Sequence, residues 1–174
     1  MANSFATHSV GASLVNSLKS AFAAQREIRQ GFEFRLVSAG ELADSTEPFR
    51  NRLTLFLYRI TPAAEARNPN PPDRPANGPP ALALELHYLM TAWADDARME
   101  QSVLTWAMRE MQLRPVLDGA SLTAEAQWAA SDVVQIIPAE LSVEEMARIW
   151  DGLSPKYRLS TAYVARVVPV DTVG

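Results

Sequence analysis

The sequence predicts an α/β fold, a mixed sheet with about three flanking helices, and three observations predict it. Apolar residues recur at helical spacing in three segments, apolar runs of strand length recur in five, and prolines and glycines punctuate the gaps between them. The 174 residues fit one domain, 1–174, carrying a proline-rich loop at 61–81.

The elements follow in chain order. Val10, Leu14, Leu18 and Phe22 repeat every fourth residue, which sets one apolar stripe on a helix over 7–24. Phe32, Phe34 and Leu36 alternate with Glu33 and Arg35, the pattern of a strand with one wet face, and a polar turn over 39–47 leads to Pro48. Residues 52–60 and 82–91 are apolar at odd and even positions alike, so both strands are expected to be covered on two faces. Between them seven of the twelve prolines crowd one connector, too polar and too proline-dense to be buried. A rigid sheet presenting a loop results.

Asp95 or Asp96 is placed to cap a helix running to about Leu113, since a carboxylate there accepts from free amides at the positive helix end. Its polar face is Arg98, Gln101, Ser102, Thr105, Arg109 and Gln112, while Met99, Val103, Leu104, Trp106, Ala107, Met108 and Met111 form a wide apolar arc, part of which is available to another subunit. After a weakly patterned stretch over 115–130, Val133 to Ile137 form a short strand closed by Pro138. Ser142 and Glu145 then make a capping box, Leu141 and Met146 a hydrophobic staple, and Gly152 is expected to stop the helix in the left-handed conformation. A last strand occupies 159–170. Because Pro169 cannot donate to a ladder, its end is expected at an edge or beyond the sheet.

Composition narrows the function classes. An apolar fraction of 48% and a charged fraction of 21% are those of a soluble globular chain, and no apolar run nears the roughly 20 residues of a membrane helix. The first residues lack a basic patch followed by an apolar run, so the chain is expected to be cytoplasmic during assembly. With a formal charge of −4 and both signs interleaved, nucleic acid is a poor partner. Fourteen of the sixteen basic residues are Arg, which suits planar contacts at protein interfaces and is equally a mark of coding bias.

Few residues offer chemistry. Cysteine is absent, which removes thiolate nucleophiles and sulfur ligands, and the only histidines are His8 and His87. Glu85 and His87 share a strand face and form the one acid and base pair available to a small enzyme or ligand-binding domain; without a third group they read as a polar surface patch. Asp95, Asp96 and Glu100 are acidic, but a helix cap accounts for the aspartates. Trp93, Trp106, Trp128 and Trp150 lack interleaved basic residues and read as core anchors. No catalytic residue, cofactor or metal site is expected. Arg67 and Asn68 in the proline-rich loop form a candidate docking element, with a solvated spacer as the other reading.

Several segments, in order and spacing, carry a resemblance: Leu53 to Ile60, Arg67-Asn68, Leu84 to Thr91, the helix from Met99 to Met111, Ile149-Trp150, and Leu159-Ser160 with Tyr163 and Val167-Val168. Together they resemble the tube-terminating cap proteins of extracellular contractile injection systems, in their N-terminal domain. Some members carry a further C-terminal region. The resemblance implies a fold similar to phage tail terminator proteins and a mechanical job without catalysis. Six copies would ring the distal end of the inner tube, bind the last sheath ring, and fix the length of the particle. Self, tube protein and sheath protein are the implied partners. Another neck or baseplate component of the same particle is the nearest alternative. For the sheath contact, residues 160–168 are read as an edge strand able to accept a strand by main-chain pairing, which makes Tyr163, Val164 and Arg166 partner-binding candidates.

Overall fold

Val10, Leu14 and Leu18 do line the buried side of the first helix, α1 (Ala6–Ala24), as their spacing requires. The computed structural model describes residues 2–43, 50–63, 82–153 and 156–170. The elements after α1 are β1 (Glu33–Val37), α2 (Ala39–Ala43), β2 (Arg52–Pro62), β3 (Leu82–Trp93), α3 (Ala97–Leu113), β4 (Val116–Leu117), a 3₁₀ turn (Ala124–Ala126), β5 (Val134–Ala139), α4 (Val143–Asp151) and β6 (Ser160–Val170).

The strands form one six-stranded sheet in the order β1-β2-β3-β6-β5-β4. β1 runs parallel to β2 and every other pairing is antiparallel. Alternation sorts the side chains between two faces. Leu53, Leu55, Leu86, Tyr88, Met90, Tyr163 and Ala165 pack with α1 and α3, while Leu89 and Trp93 pack with Met146 and Trp150 of α4. The sheet is therefore a central layer, with α1 and α3 on one side and α4, joined by Leu42 of α2, on the other.

Four sequence expectations change. The strand 160–168 is not an edge: β6 lies between β3 and β5, because its apolar residues on both faces suit a central position. Its end is not bare either: beyond Arg166, where β5 stops, β3 continues beside the chain and Ala2 bridges Val170 in parallel. Gly152 is right-handed, φ −78°, so no glycine-only conformation is needed there. Pro138 does not close its strand. Ile136 donates outward to Pro115, and alternation turns the Pro138 nitrogen to the same outer side, beyond the reach of two-residue β4. Finally, residues 39–43 are a helical turn, with Glu41 accepting from the Ser38 N–H at 2.8 Å.

The caps follow the local signals. Asp96, not Asp95, accepts from the Met99 N–H at 2.9 Å, and Asp95 instead sits 3.5 Å from Arg50. Ser142 and Glu145 form the full capping box. Trp93, Trp106 and Trp150 are buried core anchors, and Trp128 is half-buried with its indole N–H donating to Ser9 at 2.8 Å. That bond belongs to a knot the periodicity did not announce. Ser9 also pairs with Thr123 at 2.7 Å, and Ser13 accepts from the Thr123 N–H, so two buried hydroxyls fasten α1 to the segment after β4.

Candidate functional site

The structure separates the residues that the sequence groups together. Arg67 and Asn68 lie outside the described residues. Tyr163 is 3% exposed and points beneath α1, its hydroxyl pKa pushed up by burial. Val164 and Arg166 turn to the opposite face, where Val164 stands between His87 and Ile137. The Arg166 guanidinium meets Glu85 at 3.0 Å. From Ala162 to Arg166 the main chain of β6 is flanked by β3 and β5, so strand addition has no room there.

Glu85 and His87 share a face, as expected, but each has its own partner. His87 Nε2 lies 3.0 Å from the Thr61 hydroxyl, and Glu85 is engaged by Arg166. Among the described residues no three His, Asp or Glu side chains converge as a metal site. The chemistry this pair offers is a hydrogen-bonded polar patch on the part of the sheet beyond α4. Burial, and then the nearby Arg59 charge, hold the His87 pKa below the ordinary 6.5. With the folded value depressed, the unfolded chain holds the proton more tightly. His87 therefore has no effect on stability above that ordinary value and lowers stability as pH falls beneath it. Melting temperature measured against pH should show His87→Gln losing less on acidification than the native chain; identical slopes would remove His87 as a contributor.

The open main chain is on β2. β1 pairs with β2 only as far as Phe56, and then leaves for α2. From Leu57 to Pro62 β2 has β3 on one side and, among the described residues, no strand on the other. The Ala63 N–H donates to Ala83 at 2.9 Å, so alternation points residues 61 and 63 toward β3 and residues 60 and 62 away from it. Pro62 thus spends its missing N–H at the open side, where a proline is tolerated. Beside this edge, where β1 departs, a groove of about 750 Å³ is lined by Phe5, Leu36, Val37, Phe56, Leu57 and Tyr58, with Tyr88 at its floor. Phe5 is 60% and Ile60 49% exposed, so apolar side chains accompany the unpaired backbone. The expectation that 52–60 is covered on both faces fails at Ile60, and Pro62 is the sequence signal that the strand's end is different.

The family model described as the Pvc16 N-terminal domain matches residues 9–173. The chain belongs to that family. The mixed sheet is likewise shared with solved structures. One is the sheath/tube terminator, in its extended state, of the PVC extracellular contractile injection system, with a TM-score of 0.55 and 18% identity over 91% of this chain and 55% of that one. Another is the tube-terminating cap of the anti-feeding prophage, with a TM-score of 0.59 and 15% identity over 95% of this chain and 55% of that one. The chain thus spans about half the length of these two chains, and at such identities the likeness establishes the fold. No curated protein matches the sequence. No helix among the described residues is long and apolar enough to cross a membrane.

Proposed function

We propose that this chain is a structural cap domain of a contractile injection particle, one that ends the inner tube and anchors the last sheath ring without performing catalysis. Family membership over residues 9–173 carries the proposal. The two solved structures that share its fold are named as a tube terminator and a tube-terminating cap, which supports the same reading. Six copies would form the ring, with tube and sheath subunits as partners and the assembled particle as the final location.

The sheath contact moves from β6 to β2. An extended sheath segment added alongside Leu57–Pro62 would continue the sheet where β1 stops, and its alternate side chains would enter the groove beside Phe5 and Leu36. Main-chain pairing supplies the attachment and needs no deep pocket. On this reading Val164 and Arg166 contribute only through the face they share with Glu85 and His87.

Deleting the gene for this chain alone, and measuring tube and sheath lengths by electron microscopy, tests the proposal. Aberrantly long or unstable particles without a distal cap are expected. Intact particles of normal length would refute the terminator role.

A further inference from the structure

The outer surface of α3 holds a second cleft, on the helix-covered side of the sheet and away from the β2 edge. It has a volume of about 780 Å³ and runs between residues 27–30 and the first three turns of α3. Its rim carries Arg29, Arg98 and Arg109 against Glu27 alone, in a chain whose formal charge is −4. Arg109 is paired with Glu27 at 3.1 Å. Arg29 and Arg98 make no ion pair with any described residue. Met99 and Ile28 make part of the lining apolar, as does Trp106, whose buried indole N–H has no hydrogen-bond partner. The cleft is built to receive an apolar group flanked by carboxylates.

One such group exists on the chain itself. At the start of α4, Glu140 and Glu144 stand exposed and free of ion pairs among the described residues, and between them Val143 is 81% exposed. α4 packs on the face of the sheet opposite α1 and α3. Two complementary surfaces on opposite faces of one subunit are what a head-to-tail contact requires, because such a contact joins different patches, and it yields a ring where the rotation between copies closes. We infer that the α3 cleft of one subunit receives the Val143 knob and its flanking glutamates from the next copy of the chain. This deepens the ring reading above, and its test does not depend on particle length.

The chain has no cysteine, so an introduced pair reports cleanly. The double variant Arg98→Cys with Glu144→Cys, treated with a short bismaleimide both on assembled particles and as concentrated purified chain, should give a ladder of covalent multimers. Each single variant should stay monomeric. A double variant that gives no more multimer than the singles in both preparations would overturn the contact. Independently, Arg29→Glu with Arg98→Glu should weaken self-association by at least about tenfold, and adding Glu140→Arg with Glu144→Arg should restore it. Unchanged association, or a loss that the added reversals leave unrestored, also overturns it. A clear ladder together with normal particles after gene deletion would sink the cap reading and leave the subunit contact standing.

Discussion

Replacing Trp106 with Ala is expected to remove about 3–5 kcal/mol of stability, the range for truncating a large buried aromatic and a large share of what holds a typical domain folded. Trp106 is 3% exposed and meets Phe22 of α1 edge-on at 5.0 Å and Phe34 of β1 at 5.9 Å, while Phe22 and Phe34 lie 5.1 Å apart. One indole thus joins three elements, and its loss leaves a void that rigid strands on one side cannot collapse to fill. Trp106→Phe separates packing from polarity. A single aromatic ring stays available to Phe22 and Phe34, and the N–H that disappears has no partner in the native chain, so its deletion removes an unmet desolvation cost. The phenylalanine variant should therefore lose clearly less than half as much as the alanine variant in urea unfolding. Equal losses would mean that this cluster is not the joint between the helices and the sheet.

What the sequence disclosed was what depends on neighbouring residues. Ser142 with Glu145, and Asp96 with the helix after it, act across three residues, and each cap is found where its spacing puts it. Alternation in 32–36 and the apolar runs at 52–60 and 82–91 located strands, because side-chain period alone decides which face is buried. The order of the strands is another matter. β6 enters beside β3 across a separation of 69 residues at the Thr91 and Ser160 pair, and nothing in either strand states which neighbour it will take. Pro169 misleads as an edge signal, since β5 flanks β6 as far as Arg166 and Ala2 bridges Val170 at the strand's end. The α3 cleft was half legible: the polar face of Arg98, Gln101, Thr105 and Arg109 was evident from period, but its other wall is residues 27–30, brought there by the tertiary fold. The same holds for Ser9 and Thr123, whose pairing needs α1 to be already docked.

Ile60→Pro is expected to abolish sheath attachment while leaving the fold in place. The Ile60 N–H points away from β3, so proline there deletes no bond of the β2 and β3 ladder, and the native chain already accepts proline two residues on. The side chain is half out in solvent, and losing it costs little packing. What disappears is a donor that an added strand would use. Ile60→Val keeps the donor and should behave as the native chain. The contrast with Val164→Pro is the sharper control: Val164 stands between paired strands on both sides, so whichever way its N–H points, proline breaks an interior ladder and should cause a broad loss of stability. Electron microscopy of particle ends, with a thermal melt of each variant, separates these outcomes. A folded Ile60→Pro subunit whose last sheath ring is still firmly held would exclude the β2 edge. Under the proposed function, the half-exposed polar patch of Arg59, Glu85, His87 and Arg166 would then be the surface left to carry the sheath, because it lies on the same end of the sheet and needs no free backbone.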